Sequence, residues 1–446
     1  VATTYNSDMK NLILIILTII VLQSCQSSSD LFVEEYNPGQ DDILQAGKTS
    51  DVFSSRDLST IYSNKKKIKV ALFLPMSGKN KNLGELLYHS ALISLFDNDR
   101  NHNIELVLID SKDNPIDASQ VFKKQIVKKG IKTVIGPIFS NQIDIISRNA
   151  LRYNINVISL SNNQKMMDRV GDNSAIFLAG FLPEQQIDKI ISHLQENNIN
   201  DIAIIAPNNS YGITISKIIK DTIKNRDANL VQSDLYDNSS NKLPKVTKRI
   251  LEAYNVPTEM TEGGGRKFEE DYRVLKSDRA YAKAIIVADS ANKTAHISNL
   301  IEKYNKTQRD VTLIGIGSWD DRTIEDKNFS TRVLYAAPNP RKFHKFERSF
   351  YRYYKKHPPR ISSIVYDSVA SIAQIVDRNG NKTPSTKDFI EYKDSLNDQA
   401  GFSGIDGRFR FLENGLVERQ YSILELNNGK FKEAESVSKG SKFLKY

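Results

Sequence analysis

Short apolar runs alternate with segments of helical spacing along most of the chain. The first strand-like run covers 67–74 (KIKVALFL), apolar residues at helical spacing follow at 83–96, and a second strand-like run covers 104–109. A strand, a helix and a second strand in this order form the unit from which parallel sheets are built. The alternation predicts more strands and helices, namely strands at 133–135, 156–160, 202–206, 230–236, 284–288, 312–316 and 333–336 and helices at 115–129, 141–153, 183–196, 212–224 and 291–304. This order predicts an α/β fold.

The pattern starts afresh after the apolar run 177–181, which predicts a second α/β unit. A chain of 446 residues also exceeds the size at which one hydrophobic core usually stops growing. Residues 238–280 are the irregular part, with a glycine break at 263–265 and a highly charged segment at 267–279 that predicts a helix. We interpret this part as a surface insertion.

The N-terminal region has the pattern of a secretory leader. Met9 and Lys10 give a short positive start, 12–22 is an apolar run, and Gln23 and the small residue Ser24 precede Cys25. The run is well short of the ~20 residues that span a membrane, and it resembles a bacterial lipobox. We therefore expect 1–24 to be a signal peptide with an upstream extension, and Cys25 to carry lipid; the alternative is a core helix with a buried thiol.

Residues 25–66 follow with many Ser and Asp residues and without a sustained apolar period. This composition predicts a flexible tether between the lipid and the fold. Cys25 is the only cysteine, so no disulfide or cysteine-based metal cluster can form within one chain.

Charge and motifs exclude several classes of function. The net charge is +9, but Lys and Arg are spread along most of the chain, so we expect no nucleic acid partner. The negative mean hydropathy of -0.43 argues against several membrane spans. No G-x-S-x-G, Walker or H-E-x-x-H pattern is present, and S-x-x-K at Ser63 and Ser239 lacks its K-T-G companion. We expect neither an enzyme nor a cofactor or metal site.

Several stretches that each follow a predicted strand resemble type I periplasmic binding proteins, the group that includes leucine, isoleucine and valine receptors. They are Leu74–Gly78 (LPMSG), Ile135–Ser140 (IGPIFS), Val157–Ser161 (VISLS) and Asn209–Gly212 (NSYG). The ends of parallel strands are where open α/β sheets place ligands. The resemblance implies two lobes, each a parallel sheet flanked by helices, that are joined by three interlobe crossings.

The C-terminal half is similar to the penicillin-binding protein activators of this superfamily, in their alphaproteobacterial form. The matching stretches are Leu313–Asp321, Tyr335–Pro338, Pro358–Ser363 with Tyr366–Asp367, Gly401–Phe411 and Asn414–Arg419. The resemblance covers about 67–446 and implies that lobe one holds about 67–180 and 339–406, and lobe two about 181–338 and 407–446. Larger activators carry a helical-repeat domain ahead of this fold, where this chain has the tether, which puts direct activation of a peptidoglycan synthase in doubt.

Candidate ligand contacts lie at the predicted strand ends. Ser140 and Ser161 could offer hydroxyl and backbone N–H groups to a carboxylate, with Ser77 and Ser159 close by topology. The alternative for Ser140 is an N-cap of the next helix.

A second group of candidates follows the later strands. The resemblance places Tyr211 where transporter receptors present an aromatic ring, and Asp289 and Asp320 are the candidates for pairing with an ammonium group. Trp319 falls close to the acidic position of those receptors, so the pocket would be filled or would prefer an apolar or aromatic group. Packing is the alternative for both Tyr211 and Trp319.

The segment 341–360 (RKFHKFERSFYRYYKKHPPR) interleaves Lys and Arg with Phe and Tyr. It predicts an amphipathic helix with aromatic residues in the core, and one face could instead dock on an acidic protein, a lipid headgroup or an anionic polymer.

We therefore expect a periplasm-facing lipoprotein of the cell envelope, anchored through Cys25, that binds a peptidoglycan synthase or a small ligand between its lobes. Gln26 after the cysteine favours the outer membrane by analogy with other lipoproteins. The alternative function is a solute-binding lipoprotein of an ABC transporter for amino acids or similar small polar ligands.

Overall fold

The structure is a computed structural model, and it describes most of the chain from residue 67 onward. The described residues are 67–171, 175–237, 242–252, 254–257, 277–305, 310–317, 324, 327–378, 394–427 and 430–434.

The strands agree closely with the alternation in the sequence, because each predicted strand is present within about two residues. In chain order they are β1 Ile68–Leu74, β2 Ile104–Asp110, β3 Thr133–Ile135, β4 Asn156–Ser159, β5 Ile176–Leu178, β6 Asp201–Pro207, β7 Asn229–Tyr236, β8 Tyr254–Pro257, β9 Ser277–Ala280, β10 Ala284–Val287, β11 Thr312–Gly315, β12 Val333–Ala337, β13 Phe402–Gly404, β14 Gly407–Phe411, β15 Val417–Arg419, β16 Ser422–Asn427 and β17 Lys430–Glu433.

The helices predicted at 83–96, 115–129, 141–153, 183–196, 212–224 and 291–304 are also confirmed. In chain order the helices are α1 Lys81–Asn98, α2 Pro115–Val121, α3 Ser140–Arg152, α4 Met167–Val170, α5 Pro183–Glu196, α6 Ser210–Asn225, α7 Leu243–Ile250, α8 Ala291–Tyr304, α9 Pro340–Tyr354 and α10 Ser362–Arg378. Helix α2 continues as a π-helical turn, Phe122–Val127, and single 3-10 turns lie at Gly78–Asn80 and Gln164–Met166.

The first sheet has the strand order β2-β1-β3-β4-β5, and all of its neighbours are parallel. Its two faces are covered by separate apolar clusters: one contains Leu72, Leu87 and Val369, and the other contains Phe73 and Phe122. Burial on both faces explains why these strands read as continuous apolar runs instead of alternating ones.

The second sheet has the order β17-β16-β12-β11-β10-β6-β7. Strands β12, β11, β10, β6 and β7 are parallel, whereas β16 and β17 add to it in antiparallel pairs. Two apolar clusters again cover its faces, with Ile285 and Leu313 in one and Ile204 and Ile286 in the other. The fold is therefore the expected α/β architecture with parallel sheets flanked by helices.

Strands β13, β14 and β15 form a small antiparallel sheet that packs on the first sheet. Phe402, Phe409, Phe411 and Val417 share one apolar cluster with the core of that sheet. This packing differs from the predicted lobe boundary at 406/407, because these apolar side chains are buried with the first sheet and the chain joins the second sheet only at β16.

The insertion at 238–280 is only partly described. Strands β8 and β9 form a two-stranded antiparallel sheet. The helix predicted at 267–279 is therefore wrong at residues 277–279, which belong to strand β9. The glycine break at 263–265 lies outside the described residues. Within the described part of the chain, no helix is both long and apolar enough to cross a bilayer.

Candidate functional site

Ser77 lies in the loop after β1, and this loop is bound to the loop after β2. The carboxylate of Asp110 accepts hydrogen bonds from the backbone N–H groups of Met76 and Lys112, each at 2.9 Å. Lys112 Nζ lies 2.7 Å from Asp110 and 3.3 Å from the Ser77 hydroxyl oxygen. The Ser77 hydroxyl therefore already has polar neighbours within the protein.

The charge of Asp110 is stabilised by these contacts. Its partial burial raises the pKa, but the hydrogen bonds from Lys112, from Ser77 and from two backbone N–H groups outweigh this and lower the pKa to about 2. Asp110 is thus a carboxylate at neutral pH, and it places negative charge near Ser77, where a ligand carboxylate was expected to bind.

Ser140 occupies the first turn of α3 and is half-buried. The residue before it, Phe139, takes the N-cap position with an extended backbone and without a side-chain cap. The alternative that Ser140 is the N-cap is therefore wrong. Gly136 brings the chain to this point at a φ of 104°, and an added Cβ would lie 2.1 Å from the carbonyl oxygen of Phe73.

Ser159 and Ser161 are brought together at the end of β4, but their hydroxyls bind the protein itself. Both residues are buried, and the Ser159 hydroxyl donates to the carbonyl oxygen of Pro137 at 2.9 Å. Ser159 Oγ also accepts from the Ser161 N–H at 3.2 Å, and Ser161 Oγ accepts from the Asn163 N–H at 3.2 Å. These serines hold neighbouring strand ends in place.

Tyr211 and Asp289 follow β6 and β10, which are neighbours in the second sheet. Tyr211 lies in the first turn of α6, which is capped by Asn209, and 46% of it is exposed. Asp289 accepts a hydrogen bond from the hydroxyl of Tyr236 at the end of β7. Burial of the Tyr236 ring and this carboxylate raise the pKa of the Tyr236 hydroxyl well above its ordinary value, so it stays a donor. Sequence reasoning missed Tyr236, which ends an apparently ordinary strand.

Three further predictions lie outside the described residues: the lipid site at Cys25 and the ligand contacts at Trp319 and Asp320.

Two buried ion pairs lie close together near the small antiparallel sheet. Arg419 Nη1 is 2.9 Å from Asp367 Oδ2, and neither side chain is exposed to solvent. Arg360 Nη2 is 2.8 Å from Asp406 Oδ1, and 14% of the Arg360 side chain is exposed. We refer to Arg360, Asp367, Asp406 and Arg419 as the ionic cluster.

The ionic cluster is strengthened by hydrogen bonds and aromatic rings. Asp367 accepts a further hydrogen bond from the N–H of Ile405 at 2.7 Å. Arg360 lies over the rings of Phe181 and Phe343 at 4.9 and 4.3 Å from their centroids, and Arg419 lies over Phe409 at 4.6 Å. Space around Asp367 is limited, since a Cβ at Gly404 would lie 2.1 Å from its carboxylate.

The cluster lies where the chain passes between the two sheets. Phe181 belongs to the segment between β5 and α5, Phe343 lies on α9 just after β12, and Arg419 ends β15 before β16. Arg419 also donates to the carbonyl oxygen of Ala179 at 3.2 Å. The ionic cluster therefore joins the three segments that connect the first sheet to the second.

In the sequence, these four residues stand within the stretches that resemble penicillin-binding protein activators. They are separated by up to 59 positions, from 360 to 419, so spacing alone does not reveal that they pair. The signal in the sequence that could have revealed the cluster is that Arg and Asp residues recur in these family-like stretches without a predicted function.

A groove of about 1940 Å³ lies beside the third connecting segment, which joins β15 to β16. It is lined by residues of helices α5 and α6, of the β14–β15 hairpin and of the segment 420–423. None of the predicted ligand contacts that the structure describes lies in this groove. Its lining contains nine carboxylates against six Lys and Arg residues, so the groove is acidic although the whole chain is basic.

The lining of the groove is organised by two ion pairs. Arg226 forms a bidentate pair with Asp188, and Arg410 pairs with Glu418 at 2.5 Å. Burial raises the pKa of Glu184, another lining residue. Exposed carboxylates at Glu196, Asp221 and Glu413 are suited to attract a cationic surface.

Comparisons with solved structures agree with this architecture. The chain is similar to a branched-chain amino acid ABC transporter periplasmic ligand-binding protein from Burkholderia xenovorans, with 10% identity, a TM-score of 0.61, and 83% of this chain and 95% of that one covered. It is also similar to the branched-chain amino acid substrate binding protein LivJ from Streptococcus pneumoniae in complex with isoleucine, with 18% identity, a TM-score of 0.54, and 83% and 99% covered. These likenesses show the type I periplasmic binding protein fold.

Comparisons with protein sequences give several relatives and one family. The protein RP748 of Rickettsia prowazekii is 21% identical over 82% of this chain and 88% of its own length. The penicillin-binding protein activator LpoA of Histophilus somni is 26% identical over 32% of this chain, and the match spans only 23% of that activator. The family model described as "LppC putative lipoprotein" matches residues 55–309, which is more than half of the chain. The chain therefore belongs to the LppC lipoprotein family.

Proposed function

We propose that this lipoprotein is a non-enzymatic component of the cell envelope, anchored through lipid on Cys25 in the outer membrane and facing the periplasm. In this proposal its body binds a penicillin-binding protein that synthesises peptidoglycan. The similarity to an activator of penicillin-binding proteins supports this partner class. The groove beside the ionic cluster is the proposed docking site.

The proposal depends on the observation that three of the four candidate ligand serines, Ser77, Ser159 and Ser161, already contact polar groups of the protein itself. Ser159 and Ser161 are buried and hydrogen-bonded to the neighbouring backbone, and Ser77 lies beside the Asp110 carboxylate and Lys112. A site for an amino acid needs donors that are free to meet the ligand carboxylate. These strand ends support a structural role instead.

The size and charge of the groove support a protein partner. Pockets for small ligands usually measure about 300–1,000 Å³, whereas this groove measures about 1940 Å³. Its excess of carboxylates favours a partner surface with positive charge, because complementary potentials increase the rate and specificity of association.

The test is retention of penicillin-binding proteins by the full chain. Membrane extract is labelled with a fluorescent penicillin, which marks only penicillin-binding proteins, and is passed over the immobilised full chain. We expect one labelled protein to be retained. The double reversal Asp221→Lys with Glu413→Lys should reduce retention by about tenfold or more, since like charges across an interface repel.

The matched control reverses two exposed carboxylates outside the groove, Glu105→Lys with Glu302→Lys. It makes the same change in net charge and should keep retention within about twofold. Equal loss in both double variants would show a nonspecific charge effect and would refute the groove as the docking site. Absence of any labelled protein would refute this partner class.

A second candidate, a solute receptor, is favoured by one observation. Tyr211 is 46% exposed at the carboxyl end of β6, and Asp289 lies at the end of the neighbouring strand β10. An aromatic ring and a carboxylate in these places could hold a small cationic or zwitterionic ligand. This candidate predicts saturable binding of a small molecule that depends on Tyr211.

A further inference from the structure

Helix α9 separates its aromatic and its basic residues onto opposite faces. Phe343, Phe346 and Phe350 are buried in one cluster with Leu86 and Tyr366. The amphipathic helix expected from the sequence is therefore confirmed, and the opposite face remains available on the surface.

The outer face of α9 and the turn after it carry charge of one sign. Seven Lys and Arg side chains are exposed, namely Arg341, Lys342, Lys345, Arg348, Arg352, Lys355 and Lys356. The only carboxylate in residues 340–360 is Glu347, which is 6% exposed and lies beside His344 and His357. We call these seven residues the basic face.

The spacing of the basic face forms a single stripe. Arg341, Lys345, Arg348 and Arg352 follow one another at intervals of four, three and four residues, so they lie on one side of the helix. A helix of this length extends over about 22 Å. The stripe is a convex surface, and none of its residues lines the acidic groove.

Two exposed tyrosines flank the stripe on either side. Tyr351 is 46% exposed and stacks on His357 at 4.9 Å between ring centroids, and Tyr353 is 64% exposed. Tyrosine has an apolar ring and a polar end, and together with Lys and Arg it is typical of surfaces that rest on the headgroup region of a bilayer.

We propose that the basic face of α9 docks on a bilayer surface that contains anionic lipid. A convex stripe of cations with exposed aromatic rings at its edges matches a flat, negatively charged surface, which attracts each nearby Lys or Arg. The lipid proposed at Cys25 would hold the body near such a surface.

The experiment measures binding of the full chain to two kinds of vesicle, phosphatidylcholine alone and phosphatidylcholine with phosphatidylglycerol. The apolar segment 12–22 contributes to binding to both kinds of vesicle. The measured quantity is therefore the ratio of the affinity for the anionic vesicles to the affinity for the neutral vesicles. We expect a preference of about tenfold or more for the anionic vesicles at low salt, reduced by high salt. The reversal Lys345→Glu, Arg348→Glu and Arg352→Glu should abolish this preference.

The matched control is Lys217→Glu, Lys220→Glu and Lys224→Glu, which reverses three exposed lysines on α6. It changes the net charge equally and should keep the preference within about twofold. Circular dichroism of both triple variants checks that they fold. Equal loss in the two variants, or no preference in the original chain, would overturn the proposal. Binding to a soluble polyanion without a vesicle preference would also overturn it and would favour an acidic macromolecule.

Discussion

Arg419 and Asp367 form an ion pair of 2.9 Å in which neither side chain is exposed to solvent. Arg419 ends the last strand before the chain enters the second sheet, and Asp367 lies within α10 on the first sheet. The pair therefore fixes the start of a connecting segment to the core of the first sheet. A buried charge that loses its partner is poorly solvated, so removal of either residue should destabilise the folded state.

Replacing Arg419 with leucine should destabilise the protein strongly. Arg419→Leu leaves the Asp367 carboxylate buried without its main partner, so we expect the free energy of unfolding to fall by about 3–5 kcal/mol. Urea unfolding measures this change. For comparison, Glu85→Gln removes the exposed pair with Lys81, which measures 3.7 Å, and should cost less than about 1 kcal/mol. Similar costs for the two variants would contradict the importance of burial.

Stability should depend on pH through Asp367. Burial and the nearby Asp406 carboxylate raise its pKa from 3.8 to about 7, although Arg419 opposes the shift. Between these pH values the folded state binds more protons at this group than the unfolded state, so its contribution to stability falls as pH rises from about 4 to about 7. The measurement compares unfolding free energies of the original chain and Asp367→Asn at several pH values. The difference between them should change across this window; a constant difference would contradict the prediction.

The aromatic side chains of the small sheet should be essential to the core of the first sheet. Phe409 is 1% exposed and contacts Phe402 and Phe411. We expect Phe409→Ala to cost about 3–5 kcal/mol, because it leaves a cavity. Phe96→Ala, at a position that is 83% exposed, should change stability by less than about 0.5 kcal/mol. Hydrogen exchange should show faster opening of β1 in the Phe409 variant, and unchanged exchange there would argue against the shared core.

We expect the Ser159 hydroxyl to contribute to the stability of the fold and not to the binding of a ligand. Ser159→Ala removes the donor to Pro137 and the acceptor for the Ser161 N–H, so we expect a loss of about 1–3 kcal/mol. Thermal unfolding measures this loss, with Ser140→Ala on the first turn of α3 as the comparison, expected within about 0.5 kcal/mol. Undiminished stability of the Ser159 variant, together with lost binding of a small molecule, would support the solute receptor instead.

Much of the fold could be predicted from the sequence because burial on both sheet faces produces continuous apolar runs, as at 67–74 and 202–206. The sheet on which β14 and β15 pack could not be predicted, because their sequences are short and mix apolar with polar residues. Only the packing of Phe409 and Phe411 reveals this.

The site was predictable in location but not in chemistry. Serines at strand ends follow from the order of strands and loops, and the structure places Ser77, Ser140, Ser159 and Ser161 there. Whether a hydroxyl is free depends on atoms from other loops, such as the carbonyl oxygen of Pro137, which spacing in the sequence does not specify. The ionic cluster could not be predicted for the same reason, because its four residues are distant in sequence and come into contact only in the folded chain.

The most direct test of binding to a protein, and not to a small solute, is thermal unfolding of the full chain with amino acids and peptidoglycan fragments at millimolar concentration. A ligand present at 100 times its Kd would add about 2.7 kcal/mol to stability and raise the Tm by several degrees. We expect no shift beyond about 1 °C with any of these compounds, because the chain is proposed to bind a protein. A saturable rise that disappears in Tyr211→Ala would contradict it and establish a solute receptor.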